Sequence, residues 1–295
     1  MSNTAVTCWI CGGAHVDLER CGTIRIPLQP EQFRITSADY GTTGDIYRCR
    51  DCDFLFCPTI GDVLHQYERM ADATYEDTRR QRALQAQKIL QTIEAHKSTG
   101  SLLDIGAGSG ILVEQALKLS YSAIGVEPSI ALSRTAQQLN LPVLTGTLPQ
   151  SEFCGRFDIV TLIDVIEHVD APLALMREAS ACMNSDAICV IVTPDVNSLA
   201  ARLMGSKWWH YRLAHISYFN RKTLKRLLHE AGFDIVDACR PGWYFPASYL
   251  AERFMQYFPA VLRVKIPSAL DRITIPLNLF DSLLVVAKKR KADDR

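Results

Sequence analysis

Four cysteines near the amino terminus form two closely spaced pairs. Cys8 and Cys11 make one C-x-x-C, Cys49 and Cys52 make another, and 37 residues lie between the pairs. Cysteines paired in this way bring four thiolates together in the tetrahedral arrangement that Zn2+ prefers. Because four protein ligands leave no open position for water, we expect a structural zinc ribbon over residues 1–62. Four unrelated buried cysteines are the alternative.

A glycine-rich turn follows an apolar run in SLLDIGAGSG, residues 101–110. The dinucleotide fingerprint G-x-G-x-x-G requires glycine at its sixth place. That place is Ile111 here, and the third glycine is Gly110. The pattern is instead D-x-G-x-G-x-G, which begins at Asp104 and includes Gly106 and Gly108. It lets the backbone approach a ligand closely, and a dinucleotide-dependent dehydrogenase is the alternative.

An acidic residue, Glu127, ends the next predicted strand in GVEPS. Its spacing from the turn allows the carboxylate to accept hydrogen bonds from both hydroxyls of a ribose. The predicted helix start at Ile111 would face a carboxylate, and Asp104 would receive an ammonium group, directly or through water. S-adenosylmethionine (SAM) carries these groups without a pyrophosphate. We therefore predict that Asp104, Gly110 and Glu127 help to bind SAM.

Strand-like and helix-like segments alternate from residue 101 onward. The strand segments are SLLDIG, SAIGVEP, PVLTG, FDIVTLI, AICVIVTPD, FDIVDACR and SLLVVAKKR, and most are separated by helical segments. Continuous apolar strands between helices indicate a parallel sheet covered on both faces. We predict a doubly wound α/β domain with ligands at the carboxyl ends of the strands. The predicted limits are a connecting helical segment at 63–98, a SAM-binding core at 99–240, an insertion at 241–280, a last strand at 281–290 and a tail at 291–295.

Four segments match a known family in order: LLDIGAGSG, GVEPS, FDIVTLIDVIEHVDAP and VIVTPDVNS. On these segments, within residues 100–200, the chain resembles class I SAM-dependent methyltransferases. IDVIEHV is similar to the subgroup that includes ubiquinone-biosynthesis-like enzymes. The resemblance implies a seven-stranded Rossmann-like sheet whose last strand is antiparallel. It also implies cofactor contacts, including an adenine pocket after the third strand, from Gly106, Gly108, Glu127, Asp164, Thr147 and Leu148.

Two histidines are candidates for the base that methyl transfer to oxygen or carbon usually requires. His215 lies in HYRLAHISYFN, which resembles the Y-x-E-H-x-S-Y-F segment of zinc-ribbon C-methyltransferases that act on nucleotide-linked deoxysugars. The resemblance implies catalytic roles for His215 and Tyr218, although Ala214 and Arg212 replace the glutamate and the first tyrosine. His168, just beyond the fourth strand, either acts as a base or orients its loop. A shorter group from polysaccharide gene clusters carries a segment similar to SKWWHYRLAHISYF.

Composition limits the expected partners. Lys and Arg total 32 and Asp and Glu total 32, so the net charge is zero and binding to nucleic acid through phosphates is not favoured. The amino terminus does not read as a basic, apolar leader, and no apolar run is as long as a membrane span, so we expect a cytoplasmic protein. The aromatic insertion at 241–280 is expected to form a helical lid or a homodimer contact, with peripheral contact to membrane lipid as the alternative.

These observations favour SAM-dependent methyl transfer to a small-molecule acceptor, with His215 as general base. The resemblance implies that the acceptor is a sugar, a nucleotide-sugar or a polysaccharide intermediate. An RNA base methyltransferase is the first alternative, because zinc ribbons also precede some of those domains. The second alternative is a protein that holds SAM without catalysis, which the replacement of the glutamate beside His215 leaves open.

Overall fold

The computed structural model describes residues 6–24, 28–37, 39–60, 63–72, 74–255, 258–259 and 266–290. The strands in these ranges form three sheets. The strands in chain order are β1 (Val16–Arg20), β2 (Ile46–Cys49), β3 (Leu55–Phe56), β4 (Ser101–Ile105), β5 (Ser122–Glu127), β6 (Val143–Thr145), β7 (Phe157–Ile163), β8 (Met183–Pro194), β9 (Ser217–Tyr218), β10 (Phe233–Cys239), β11 (Trp243–Pro246), β12 (Thr274–Leu277) and β13 (Ser282–Lys289). The helices are α1 (Val63–Arg69), α2 (Arg79–His96), α3 (Ile111–Lys118), α4 (Ile130–Gln138), α5 (Pro172–Cys182), α6 (Leu199–Met204), α7 (Arg221–Glu230) and α8 (Ala247–Met255).

The largest sheet has seven strands in the order β10-β13-β8-β7-β4-β5-β6. β13 runs antiparallel to β8 and β10, whereas the other neighbouring strands are parallel. The central strands are apolar and buried on both faces because helices cover each side of the sheet. The structure confirms the predicted α/β class, the seven strands and the antiparallel last strand.

Helices on the two faces hold the carboxyl ends of the parallel strands in place. α2 packs against one face through Ile89, Leu90 and Ile93, which are buried in one core with residues of β4 and β8. α5 and α7 contribute to a separate core on the other face. Asn220 caps α7, since its side chain accepts hydrogen bonds from the backbone N–H groups of Lys222 and Thr223. This cap fixes the point at which the chain leaves β9 and enters the helix.

The amino-terminal strands form a second sheet that includes a strand from the middle of the chain. Its order is β1-β2-β3-β9, with every pair antiparallel. Leu55 pairs with Tyr218 and Phe56 pairs with Ser217, while the rings of Phe54 and Phe219 lie 5.1 Å apart. The cysteine-bearing segment is therefore built onto the chain directly after His215.

The insertion predicted as helical at 241–280 is helical only in part. The prediction missed β11 and β12, which form a two-stranded antiparallel sheet beside α8. The aromatic run Trp243–Pro246 favours an extended strand, and its pairing partner lies far along the chain, so no local pattern indicates the pair. The tail predicted at 291–295 lies outside the described residues. No helix in the described ranges is both long enough and apolar enough to cross a membrane.

Candidate SAM and acceptor site

The glycine-rich turn lies between the end of β4 and the start of α3. Gly106, Gly108 and Gly110 have φ angles of +73°, +56° and +76°, in the left-handed region that favours glycine. A Cβ on Gly108 would lie 2.7 Å from the hydroxyl oxygen of Tyr75, so a side chain at this position would displace the Tyr75 ring. The turn presents the start of α3 at the carboxyl edge of the sheet, where a negative group is stabilised.

Glu127 ends β5 and is completely buried. Its carboxylate accepts hydrogen bonds from the backbone N–H groups of Gly108 and Ser129, both at 2.7 Å. Burial raises the pKa of Glu127 to about 7, although these two hydrogen bonds act to lower it. Because a carboxylate offers about four lone-pair sites, two remain for hydroxyl donors such as those of a ribose.

Two aspartates lie at the carboxyl ends of β4 and β7. Asp104 accepts a hydrogen bond from the hydroxyl of Thr161 at 2.6 Å, and burial raises its pKa to about 7. Burial also raises the pKa of Asp164 to about 7, against the opposing charge of Arg82. Asp164 has a φ of +53°, which is uncommon for a residue with a side chain. A positively charged ligand group would favour the ionised form of both carboxyls.

The loop after β6 carries Thr147 and Leu148. The N–H of Gly146 donates to the carbonyl oxygen of Glu127 at 2.9 Å, which places this loop beside the end of β5. Leu148 is buried and Thr147 is exposed. The position suits the predicted adenine pocket, and the contact of these two residues with the ligand stays a prediction.

The segment that contains α1 joins the glycine-rich turn to the next group of side chains. The hydroxyl of Ser129, beside Glu127, donates to the carbonyl oxygen of Met70 at 3.2 Å. The ring of Tyr67 lies 6.3 Å from the ring of His168. Residues 63–72 therefore contact both the segment beside Glu127 and the ring of His168.

Three histidines form a cluster beyond the end of β7. The rings of His168 and His215 meet edge to face with centroids 4.8 Å apart, and the rings of His210 and His215 stack at 5.6 Å. Nδ1 of His168 lies 2.8 Å from the carbonyl oxygen of Ala214, so this nitrogen carries the proton and Nε2 is the acceptor. Burial lowers the pKa of His168 to about 4 and also lowers those of His210 and His215. Burial therefore favours the neutral form of each ring, and Asp281 opposes this effect at His210.

Two carboxylates accompany the histidines, and neither was predicted. Glu167 is buried and accepts a hydrogen bond from the hydroxyl of Thr193 at 3.0 Å, while its other oxygen has no partner within the described part of the chain. Burial raises its pKa well above the usual value. Asp281 lies 3.4 Å from Nε2 of His210. Glu167 adjoins His168 in EHV and could have been noticed, whereas no local signal marks Asp281 and His210 as a pair.

Tyr218 is buried in β9, the edge strand of the amino-terminal sheet. Its ring contacts Tyr211 at 5.4 Å, and among the described residues no ring contact joins it to His168 or His215. Arg212, which replaces a tyrosine of the resembled segment, donates to the carbonyl oxygens of Arg34 and Ile35 at 2.5 and 3.0 Å. Arg212 therefore holds the amino-terminal segment against the chain that carries His215.

The paired cysteines converge at one end of the amino-terminal sheet. Sγ of Cys8 lies 3.5 Å from Sγ of Cys52, Sγ of Cys11 lies 3.5 Å from Sγ of Cys49, and all four atoms lie within 4.8 Å of one another. Sulfurs at Zn–S distances of about 2.3 Å in a tetrahedron are about 3.8 Å apart. The four positions therefore fit one zinc ion. The hydrogen bond from Cys52 lowers the pKa of Cys8 to about 5, which favours the thiolate that binds a metal.

Curated relatives match the part of the chain that contains these groups. A ubiquinone biosynthesis O-methyltransferase of Rhodopseudomonas palustris (strain HaA2) is 31% identical over 166 residues, which are 52% of this chain and 64% of that protein. One from Cereibacter sphaeroides (strain ATCC 17029) is 29% identical over 163 residues, 50% of this chain and 65% of that protein. The chain thus spans less than two thirds of the length of these relatives.

Solved structures share the fold at low sequence identity. A Haloferax volcanii complex of the Trm112 methyltransferase activator with a methyltransferase matches with a TM-score of 0.51 and 15% identity, over 74% of this chain and 95% of that chain. The PH0226 protein of Pyrococcus horikoshii OT3 matches with a TM-score of 0.50 and 15% identity, over 76% of this chain and 95% of that chain.

The family described as a methyltransferase domain matches residues 77–238, which is more than half of the chain. The matched range contains the glycine-rich turn, Glu127, Asp164 and all three histidines of the cluster. On this match the chain belongs to the methyltransferase-domain family.

Proposed function

We propose that this protein transfers a methyl group from SAM to an oxygen of a small-molecule acceptor. The observation that carries the proposal is the buried carboxylate of Glu127, which Gly108 and Ser129 hold in place beside the glycine-rich turn. Asp104 lies close enough to Glu127 to raise its pKa, so two carboxylates share this end of the sheet. Together they suit the hydroxyls and the ammonium group of SAM.

Bound SAM supplies a methyl group on a positively charged sulfur, and the transfer is an in-line displacement. The protein then mainly supplies position and a dry pocket. His215 is our candidate for the general base. Its ring lies against those of His168 and His210 beyond the end of β7, and a ring nitrogen would take the acceptor's proton. A carboxyl oxygen of Glu167 and a ring nitrogen of His215 lie within 4.8 Å of each other, so a protonated ring would favour the ionised form of Glu167 and be stabilised by it in turn.

Two acceptor classes are supported by different observations. The relatives named above are O-methyltransferases of ubiquinone biosynthesis, which favours a phenol-like hydroxyl. The sugar and nucleotide-sugar class depends on the resemblance of HYRLAHISYFN, in which Ala214 and Arg212 replace two residues of the resembled segment. We therefore favour an oxygen of a planar phenolic acceptor and keep the sugar hydroxyl as the second candidate.

The cysteine cluster is proposed to hold one structural zinc ion through Cys8, Cys11, Cys49 and Cys52. The four sulfurs lie at distances that zinc accepts. Because all four ligand positions are taken by protein, zinc would fix the ribbon and would not contact the acceptor.

Release of S-adenosylhomocysteine, read by mass spectrometry, tests the proposal. Catechol-type phenols, nucleotide sugars and total RNA are offered separately, each with wild type and with Glu127→Ala, plus a reaction without acceptor. We expect release with the phenols that Glu127→Ala abolishes. Release with nucleotide sugars alone would favour the second candidate, and release with RNA alone would overturn the small-molecule proposal. SAM binding without release in any arm would support a non-catalytic SAM-binding protein.

A further inference from the structure

Asp281 is a buried carboxylate beside the histidine cluster, and the proposed reaction does not yet use it. Its side chain belongs to a residue that is only 4% exposed, and its Oδ2 lies 3.4 Å from Nε2 of His210. Among the described residues, no hydrogen bond of good geometry reaches this oxygen. Most buried polar side-chain atoms are hydrogen-bonded, because leaving them unpaired is costly. The oxygen is therefore placed to accept a hydrogen bond from His210 when the cluster gains a proton.

The loop before β13 holds Asp281 at the carboxyl edge of the sheet. The carbonyl oxygen of Asp281 accepts a hydrogen bond from the N–H of Asp195 at 2.7 Å. Arg240 donates to the carboxylate of Asp195 at 2.6 Å and also to the carbonyl oxygen of Phe280. Phe280 has a φ of +55°, which persists in a residue with a side chain only where the surrounding contacts enforce it. The chain that follows both neighbouring strands, β8 and β10, thus fixes the position of Asp281.

The ring of His210 connects Asp281 with His215. It stacks on the ring of His215 at 5.6 Å, with 19° between the two planes. It also meets the fully buried ring of Trp208 edge to face at 4.9 Å. A ring with a carboxylate beside one nitrogen and two rings packed against it has little freedom to turn. Asp281 therefore restrains the orientation of His215 through His210.

Asp281 and Glu167 differ in charge before any proton reaches the cluster. Burial acts to raise the pKa of Asp281, but the contact with His210 lowers it below its usual value. Burial raises the pKa of Glu167 well above its usual value. Near neutral pH the ionised form is therefore favoured at Asp281 and the protonated form at Glu167.

The proposed methyl transfer brings one positive charge into this cluster. The acceptor oxygen forms a bond to the methyl carbon, the electrons of the broken bond stay on sulfur, and the hydroxyl proton passes to His215. We propose that Asp281 is a positioning residue for this step: it holds His210 and, through that ring, His215, and its negative charge stabilises the protonated cluster. This inference rests on the proposed function.

Two aspartate variants test the inference. Asp281→Asn keeps the size of the side chain and removes its charge. Asp158→Asn is the matched control, because Asp158 lies near the amino end of β7, where its carboxylate accepts a hydrogen bond from the N–H of Ser101 at 2.9 Å. Circular dichroism and urea unfolding first show that both variants are folded.

The pKa of His210, measured by NMR of protein labelled with 15N-histidine, tests the contact without turnover. The charged or titratable groups near this ring are Asp281, Arg212, His168 and His215. The pKa of His210 in Asp281→Asn should lie about 1 or more below that in wild type, because an opposite charge is lost while Arg212 stays. Asp158→Asn should leave it unchanged. An unchanged pKa of His210 in Asp281→Asn would overturn the proposal.

Methylation of catechol, or of nucleotide sugars if only these are methylated, tests the role in the reaction. Asp281→Asn should lower kcat about tenfold or more, because general-base catalysis contributes about 100-fold or more and Asp281 supports part of it. The KM for the acceptor and the Kd for SAM should stay within threefold of wild type, and Asp158→Asn should keep the wild-type kcat. An unchanged kcat in Asp281→Asn, or an equal loss in Asp158→Asn, would contradict the positioning role. Turnover of neither acceptor by wild type would count against the proposed function, and the pKa of His210 would then decide this inference.

Discussion

Replacing Glu127 removes the group that we expect to hold the SAM ribose. A hydrogen bond to a charged acceptor contributes about 1.5–3 kcal/mol. Glu127→Ala loses two of them, so the binding free energy should fall by about 3 kcal/mol or more. Since about 1.4 kcal/mol is a tenfold change, the Kd for SAM should rise by at least about 100-fold. Glu127→Gln keeps one carbonyl oxygen and should raise the Kd by roughly 10- to 100-fold.

The same change also affects the fold, and the two effects need separate measurements. Glu127→Ala leaves the N–H groups of Gly108 and Ser129 without their acceptor, at a cost of about 1–3 kcal/mol for each group that stays dry. Val286→Ala is the matched control, since Val286 is fully buried in β13 and is not among the residues assigned to SAM. It should lower the free energy of unfolding by about 2 kcal/mol and leave the Kd for SAM unchanged.

Isothermal titration calorimetry with SAM at 15 °C gives the Kd of the four proteins, after circular dichroism has shown that each is folded. Urea unfolding without SAM gives the stability of each. A folded Glu127→Ala protein whose Kd stays within threefold of wild type would refute the assignment of the ribose site. An equal loss of affinity in Val286→Ala would show that the effect of Glu127→Ala reflects stability and not a contact.

Three further outcomes are expected. Because the pKa values of Glu127, Asp104 and Asp164 are all raised to about 7 and SAM favours their ionised forms, SAM affinity should fall at least about tenfold from pH 8 to pH 6. SAM binding at pH 6.5 should release protons, which calorimetry in buffers of different ionisation enthalpy measures. Glu127→Gln should release fewer protons than wild type. A SAM affinity that does not change with pH would contradict the proposed titration of the site. His215→Asn should lower kcat by roughly 100-fold or more with an unchanged Kd for SAM, measured by product release and calorimetry; unchanged kcat would exclude His215 as the base. Cys49→Ser should contain less zinc than wild type, measured by mass spectrometry of metals, and should be cleaved more readily around β9 in limited proteolysis. Cys239→Ser changes an exposed thiol outside the cluster and should keep the zinc content and the proteolysis rate of wild type.

The core of the fold could be predicted because its signals are local. The central strands of the seven-stranded sheet are continuous apolar runs, and the three glycines of the turn occur where the backbone is left-handed. Glu127 follows from its place at the end of the second of these strands. The spacing of the four cysteines alone predicted that they form one cluster, and their sulfur atoms lie within 4.8 Å of one another.

Other features depend on contacts between distant parts of the chain. Asp281 meets His210 only because β13 inserts between β8 and β10 and brings its first residues to the carboxyl edge of the sheet. No local sequence pattern around Asp281 indicates that it lies next to His210. The β11–β12 pair was missed for the same reason, and the catalytic role that the resemblance implies for Tyr218 stays a prediction.

Because β3 pairs with β9, the amino-terminal sheet can be completed only after β9 has been synthesised. The cysteine-bearing strands leave the ribosome long before Ser217 is synthesised. During that interval Leu55 and Phe56 can pair with β2, but the other edge of their strand has no partner. Local turns can gather the cysteines early, but the amino-terminal sheet becomes complete only when most of the seven-stranded sheet has been made. The amino-terminal sheet is therefore completed late in folding, by a strand that lies within the range matched to the methyltransferase-domain family.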